Sequence, residues 1–286
     1  MYKPAGRSSE VVIMKKFKGI LFCTDLDGTL YRDDRTVSEE NLAAIEYFRS
    51  EGGLFTFITG RVPQTAGEIC RIIKPNAPYG CINGGGIYDA GKQKYLWKRC
   101  LPKEAMELVR EVYEKLPEMG IQLNTEKNVY FNRNNKAMEH FRAVTGLPDI
   151  TCHYDAVEEP VLKVVFAHLE EVQITTLMQL LQNHPKAAEY DFIRSERWLF
   201  ELLPKGVNKG AALVRMAELL GIQADRTIAV GDYDNDVAML KAAKVGFAVA
   251  NAVDAVKAAA DFITVSNNEN AIAAIIDSLD RGRLIL

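Results

Sequence analysis

Basic residues do not outnumber acidic ones in this 286-residue chain: 35 Lys and Arg stand against 38 Asp and Glu, a net charge of −3. No strongly basic field is available to neutralise a nucleic-acid backbone or an anionic membrane, so both partners are disfavoured. Cysteine is sparse: Cys23, Cys70, Cys81, Cys100 and Cys152 are scattered, odd in number and without a CxxC pair. The four histidines (His140, His153, His168, His184) form no HxxxH pair and no His/Cys cluster. That pattern argues against a disulfide framework and a zinc site and fits a reducing cytosol. Each histidine reads as a surface or structural residue rather than a ligand. Long apolar runs are missing too, none approaching the ~18–20 residues needed to span a bilayer. The run Gly19-Ile20-Leu21-Phe22-Cys23 leads straight into Asp25 and Asp27, which a signal peptide would not do. The expectation is a soluble, cytoplasmic protein with no nucleic-acid and no membrane partner.

What is present is ordinary globular material, 48% hydrophobic and 26% charged, enough for one large core or two. Residues 1–15 are polar and aperiodic and read as a loose N-terminal arm, in which Met14, followed by Lys15-Lys16-Phe17, offers an alternative start to Met1. From Lys18 onward short apolar runs alternate with helical patterns. Gly19–Cys23, Leu54–Ile58 and Tyr79–Ile82 are too short and too β-rich for helices. Between them, Leu42, Ile45 and Phe48 keep helical spacing behind Ser38, a candidate N-cap. The same grammar returns late in the chain, with a helix over Lys209–Leu220 closed by Gly221, a strand over Thr227–Val230, a helix over Asp234–Ala243 and a strand over Val245–Ala250. A last helical pattern covers Ala271–Ile276. Wholly apolar strands separated by amphipathic helices indicate an α/β fold with a Rossmann-like, doubly wound parallel sheet.

The middle differs. Ile121–Asn124, Val129–Asn132 and Trp198–Leu203 alternate apolar with polar residues, as strands of a sheet with one wet face do. Helical stretches over Lys103–Leu116 and Glu170–Gln182 punctuate them. The chain is therefore read as a core formed by residues 16–86 and 204–286 with an α+β unit, 87–203, inserted between.

Four short clusters carry chemistry, and each follows a predicted strand or opens a helix, the rim at which open parallel sheets bind ligands. The first is Asp25-Leu26-Asp27-Gly28-Thr29. On an extended strand end Asp25 and Asp27 point to the same side. Two carboxylates placed together repel, and one takes up a proton unless a cation lies between them; a hard divalent ion such as Mg²⁺ resolves this. A solvated acid pair in an Asp-Gly turn is the plainer alternative. The second is Gly231-Asp232-Tyr233-Asp234-Asn235-Asp236. One carboxylate there would suffice to cap the next helix, whereas three in five positions suggest a metal site completed by Asp25. The third, Thr59-Gly60-Arg61, sets a hydroxyl beside a glycine amide at a helix start, a small anion cradle. Arg61 is either a brace or a surface charge. The fourth is Lys209: a cation in the first helical turn opposes the macrodipole, so an anionic partner is implied. Lys205 is its competitor.

Acid groups, a metal, an anion cradle and an ammonium form the set that phosphoryl transfer uses, where catalysis is mostly positioning and charge neutralisation. A set is needed. Phosphate-monoester hydrolysis asks for up to ~10²¹-fold acceleration, about 29 kcal/mol, and one general acid supplies only ~10²–10⁴.

Asp25-x-Asp27-Gly28-Thr29, Thr59-Gly60-Arg61, Lys209 and Gly231-Asp232-x-x-Asn235-Asp236-x-x-Met239 together resemble the four ordered motifs of the haloacid dehalogenase-like (HAD) phosphohydrolases. Asn83-Gly84-Gly85 and Ala260-Asp261-Phe262-Ile263-Thr264 resemble the Cof-like branch, which carries a large α/β cap between the second and third motifs. That resemblance implies a phosphatase acting on a small phosphorylated metabolite, such as a sugar phosphate, through an aspartyl-phosphate. It implies Asp25 as nucleophile, Asp27 as general acid and base, and Thr59, Gly60 and Lys209 around the phosphoryl oxygens. It further implies Mg²⁺ held by Asp25, the backbone carbonyl of Asp27 and Asp232, with Asn235 and Asp236 nearby, and Asn83 and Arg61 as candidate substrate contacts. The dehalogenase members lack an acid at the position of Asp27, because a halide leaving group needs no proton. Asn270-Ala271-Ile272 departs from the branch, which has a Gly-Val-Ala-like stretch there. Two other functions share the same residues: a phosphomutase or phosphotransferase, and a non-catalytic phospho-ligand sensor, against which the intact Asp25 and Asp27 count. Trp97 and Trp198 read as packing residues, Asn132-Arg133-Asn134-Asn135 as a polar loop within reach of substrate hydroxyls, and Cys23 as a small buried hydrophobe.

Overall fold

The computed structural model describes residues 15–284. The expected N-terminal arm, apart from Lys15, and the alternative start at Met14 lie outside the described residues.

Five strands, β1 (Leu21–Thr24), β2 (Leu54–Phe57), β11 (Thr227–Gly231), β12 (Val245–Ala248) and β13 (Phe262–Ile263), form a sheet in the order β13-β12-β11-β1-β2. All its pairs are parallel, and Leu21 of β1, one strand in from the edge, pairs with Thr227 on one side and Leu54 on the other. Every residue of β1 is buried, as a strand covered on both faces must be. The chain leaves β1 toward β2 on one flank and returns through β11 on the other, so the carboxyl end of β1 is a topological switch point.

Six helices flank this sheet: α1 (Glu39–Ser50), α2 (Gly67–Ile73), α6 (Lys209–Leu220), α7 (Val237–Ala242), α8 (Asp254–Ala259) and α9 (Ala271–Asp280). The Ser38 hydroxyl caps α1 by accepting the Asn41 amide at 3.2 Å. Asn208 caps α6 in the same way through Ala211, and Gly221 closes it in the left-handed conformation. α1 packs on α9, and α6 on α7. Asn270, where the branch pattern has glycine, holds φ at +66°, so the departure preserves the backbone turn into α9.

A small antiparallel sheet of β3 (Tyr79–Cys81), β4 (Gly86–Asp89) and β5 (Lys94–Lys98) hangs from the end of β2 through a parallel bridge between Ile58 and Gly80. A second five-stranded sheet, wholly antiparallel, takes β6 (Gly120–Thr125), β7 (Val129–Arg133), β8 (Val161–Ala167), β9 (Tyr190–Glu196) and β10 (Leu199–Pro204) in the order β7-β6-β8-β10-β9. Helices α3 (Met106–Lys115) and α5 (Glu171–Gln182) cover one face, with Leu108, Val112, Ile174 and Leu177 in one apolar cluster with Ile121, Val164, Phe166 and Leu202. The crossings expected after residues 86 and 203 fall inside β4 and β10, and the second sheet takes its first strand only at Gly120.

Two details differ from the sequence pattern. The second sheet has no wet central face: β6, β8 and β10 are buried along their whole length. Gln122, Asn124 and Glu201 alternate as expected, and Lys163 joins them on β8, a strand the sequence pattern does not mark; Lys163 and Glu201 hydrogen-bond to residues of the first unit. The polar run ending at Asn135 leads into a helix, α4 (Lys136–Thr145), which Asn135 caps by accepting the Met138 amide at 2.9 Å. Among the described residues no helix is long and apolar enough to cross a membrane.

Candidate active site

The site begins where β1 ends. The Asp25 amide continues the ladder to the Val230 carbonyl at 2.9 Å, which fixes the nucleophile candidate at the rim. The chain then turns at Gly28, whose φ of +80° favours glycine. A Cβ there would also press on the Asp232 carboxylate, so the missing side chain at position 28 makes room for the two acidic clusters to approach. Thr29 secures the contact, its hydroxyl donating to Asp232 Oδ1 at 2.7 Å. Asn251 Nδ2 holds the Gly28 carbonyl at 2.8 Å.

Asp25, Asp232 and Asp236 each bring a carboxylate oxygen into one group whose members lie within 4.8 Å of each other. Lys209 stands among them, 1% exposed, with Nζ 2.6 Å from Asp25 Oδ1 and 2.6 Å from Asp236 Oδ1. The anionic partner inferred from a cation in the first turn of α6 is thus a pair of carboxylates. Lys205 is tied to Asp191 at 3.0 Å instead.

Electrostatics follow from burial. Desolvation pushes the Asp25 carboxyl well above its ordinary range; the Asp236 and Asp232 charges add to this, and Lys209 opposes it. Asp232 is pushed up to about 7, first by burial and then by the neighbouring charge of Asp236. Burial alone would lower the Lys209 ammonium, but its two carboxylate partners outweigh that and hold it above its ordinary value. Asp236 is fully engaged: Oδ1 accepts from Lys209, and Oδ2 accepts the backbone amides of Asp232 at 3.0 Å and Tyr233 at 3.2 Å. It therefore braces the loop that presents Asp232. Three hard oxygen donors crowded against a single ammonium are a donor set that fits a hard divalent cation.

The cradle lies across the rim. Thr59 accepts the Arg61 amide on its hydroxyl oxygen at 3.2 Å, which leaves the hydroxyl hydrogen to be donated outward. Arg61 is neither a lone surface charge nor turned to solvent. Its Nε and Nη2 fork onto Asp27 Oδ2 and Oδ1 at 3.0 and 2.6 Å, and its guanidinium lies over the Tyr31 ring. Asn83, a candidate substrate contact, is fully buried: its Nδ2 donates to Glu201 Oε2 at 2.6 Å and its Oδ1 accepts from Asn235 Nδ2 at 3.0 Å.

The remaining candidates stand apart from this cluster. His153, His168 and His184 each use Nδ1 to accept a backbone amide two residues on, and His140 lies edge-on to Trp198. Trp97 and Trp198 are half-buried against the apolar core, and Cys23 is fully buried in it. Asn132 is turned to the Cys152 carbonyl at 2.7 Å. Sequence patterns single out none of Asn251, Lys163 and Glu201. For the last two a signal exists: each is a charge in the middle of an otherwise apolar strand, Val161-Leu162-Lys163-Val164 and Leu199-Phe200-Glu201-Leu202.

A parallel sheet with an acid-lysine cluster at its switch point and a second antiparallel unit between its halves is the architecture of one large class of hydrolases. The chain belongs to it: the family model for haloacid dehalogenase-like hydrolases matches residues 22–276. The chain is similar to the 5-amino-6-(5-phospho-D-ribitylamino)uracil phosphatase YitU of Bacillus subtilis, 26% identical over 268 residues, covering 91% of this chain and 97% of YitU. It is similar also to phosphatase YwpJ of the same organism, 25% identical over 284 residues, covering 91% and 99% of the two chains. Its fold matches a haloacid dehalogenase-like hydrolase from Bacteroides thetaiotaomicron with a TM-score of 0.80 at 22% identity over 91% of this chain and 99% of the other. The HAD subclass IIB sugar phosphatase BT4131 matches with a TM-score of 0.80 at 20% identity, again over 91% and 99% of the two chains.

Proposed function

We propose that this chain is a Mg²⁺-dependent phosphatase that hydrolyses a small sugar or polyol phosphate through an aspartyl-phosphate on Asp25. The observation that carries this reading is the buried Lys209 ammonium bridging Asp25 and Asp236, with Asp232 in the same group. The substrate class is supported by two similar proteins, YitU, a 5-amino-6-(5-phospho-D-ribitylamino)uracil phosphatase, and BT4131, a sugar phosphatase. In this reading residues 87–203 form the cap over a core of residues 16–86 and 204–286.

An Asp25 carboxylate oxygen attacks phosphorus, the bond from phosphorus to the ester oxygen breaks, and the departing oxygen takes a proton from Asp27. Asp27 then removes a proton from water as that water attacks phosphorus, releasing inorganic phosphate and restoring Asp25. Asp27 must leave the Arg61 fork to reach the ester oxygen. Thr59, the Gly60 amide and Lys209 hold the phosphoryl oxygens. Asp25, the Asp27 carbonyl and Asp232, with Asn235 and Asp236 alongside, would hold Mg²⁺, which supplies the positive charge that lets a carboxylate approach a dianionic ester.

The test is phosphate release from p-nitrophenyl phosphate and a panel of hexose, pentose and polyol phosphates, with Mg²⁺ and with a chelator. Release only with Mg²⁺ is expected. If no monoester is hydrolysed in Mg²⁺ the reading fails, and phosphate appearing on a second sugar hydroxyl would make the chain a transferase.

The crowded acids also give a pH signature. With Asp232 pushed up to about 7, the metal-free folded chain between roughly pH 4 and pH 7 holds a proton that the unfolded chain has lost. Its stability therefore falls as pH rises through that window. Mg²⁺ competes with that proton, so excess Mg²⁺ should raise the melting temperature more at pH 8 than at pH 5. At a hundredfold excess over Kd the gain is about 2.7 kcal/mol, several degrees for a chain of this size. Equal shifts at both pH values in thermal melts would contradict a proton held on Asp232 in the metal-free fold.

A further inference from the structure

The second sheet contains a charge pair that its own folding does not require. Lys163 on β8 and Glu201 on β10 meet at 2.9 Å, 5% and 4% exposed. Apolar residues of similar volume generally serve as well as a buried ion pair, because desolvation consumes most of the attraction. What marks this pair is where its remaining hydrogen bonds go. Lys163 Nζ donates to the Gly60 carbonyl at 2.9 Å, 103 residues away. Glu201 Oε2 accepts from Asn83 Nδ2, and Oε1 accepts the Ser195 hydroxyl at 2.8 Å. Both charges therefore reach out of the sheet into the loops that carry the site.

We infer that Lys163 and Glu201 are positioning residues that set the orientation of the phosphate cradle and of Asn235 when the inserted unit is seated on the core. This rests on the phosphatase reading of the site.

The Lys163 arm acts through a peptide plane. The Gly60 carbonyl and the Arg61 amide belong to one rigid unit, so holding the oxygen aims the N–H. That N–H is the one donated to the Thr59 hydroxyl oxygen. With one of its two lone pairs occupied by that N–H, the Thr59 hydroxyl keeps its hydrogen to donate, which a phosphoryl oxygen requires.

The Glu201 arm acts through polarity. A carboxylate only accepts, so it turns the Asn83 amide nitrogen toward itself and leaves the Asn83 oxygen facing the other way. That oxygen takes Asn235 Nδ2, which leaves Asn235 Oδ1 as the end of the amide turned away from Asn83. Reversing either amide would put a nitrogen where a cation needs oxygen. Asn83 occupies the left-handed region at φ +51°, which asparagine tolerates better than most residues. Each arm starts on the inserted unit, so the cradle and the metal loop are both aligned only while that unit is docked.

The test replaces the pair by apolar residues, K163M/E201L, and measures Mg²⁺ binding to the metal-free full chain by calorimetry together with kcat and KM for p-nitrophenyl phosphate. Supporting groups around metal ligands typically govern 10- to 100-fold in affinity or activity. The expected result is a folded variant with Mg²⁺ affinity and kcat each reduced by about that factor and KM little changed. A folded pair variant with wild-type Mg²⁺ affinity and kcat overturns the inference. Should the pair variant not fold, N83G decides: glycine suits the φ of that position, the ion pair stays, and only the amide relay is lost. N83G is expected to weaken Mg²⁺ binding about tenfold; wild-type affinity overturns the relay. Calorimetry with Mg²⁺ alone needs no turnover, so a wild-type chain that hydrolyses no monoester would defeat the phosphatase reading separately.

Discussion

Asp25→Asn should abolish phosphate-ester turnover, by roughly 10⁴-fold or more as loss of a covalent nucleophile does, while the protein stays folded. The two halves of that expectation come from the same geometry. A carboxamide at this position cannot form an acyl phosphate, so the route through a covalent intermediate closes. Yet the Asp25 charge is a burden to the metal-free fold, since burial and two neighbouring carboxylates push its proton affinity up. Removing that charge leaves Lys209 paired with Asp236 and relieves the crowding, so the melting temperature of the metal-free variant should hold or rise. Activity of D25N within tenfold of wild type would remove Asp25 from the nucleophile's role; unfolding of D25N would contradict the account of its electrostatics.

Lys209→Met should behave in the opposite sense, losing both function and stability. Methionine keeps the apolar stem but leaves Asp25 and Asp236 facing each other without the ammonium that now lies 2.6 Å from each. Breaking a buried pair by deleting one partner costs about 3–5 kcal/mol, readable as a shift in the urea midpoint of the metal-free protein. Loss of one preorganised donor to the phosphoryl oxygens lowers turnover by about 10²–10³ in addition. Mg²⁺ should recover more stability in K209M than in the wild type, because the ion takes over neutralisation of the acids. A variant as stable as wild type without metal would mean that the three carboxylates do not need Lys209 in order to coexist.

Much of this centre is legible in the chain because its parts obey local rules. Asp25, Thr59 and Asp232 each follow an apolar run too short to be a helix, and Lys209 sits where a cation alone would be disfavoured. Those rules place all four at one sheet rim. What sequence does not disclose depends on pairings between distant segments. The Arg61 fork on Asp27 joins residues 34 apart, and the Asn83–Glu201 bond joins residues 118 apart. No periodicity encodes such meetings. The alternation of β6 and β10 shows correctly that one face is polar, but a period of two does not say whether water or protein covers it. Asn135 reads as part of a loop because an asparagine that caps a helix and an asparagine in a turn look alike until the following residues are seen to wind.

The place of β1 between β2 and β11 has a consequence for how the protein is made. Leu21 gains one neighbour, Leu54, early in synthesis, whereas its other neighbour, Thr227, emerges only after some three quarters of the chain. Until then the strand that ends at Asp25 presents an unpaired backbone edge, the kind of template that invites pairing with other nascent chains. The inserted unit has to be synthesised, and has time to fold, during that interval. The polypeptide thus emerges with its most reactive strand half-dressed, and the ribosome's pace sets how long it stays so.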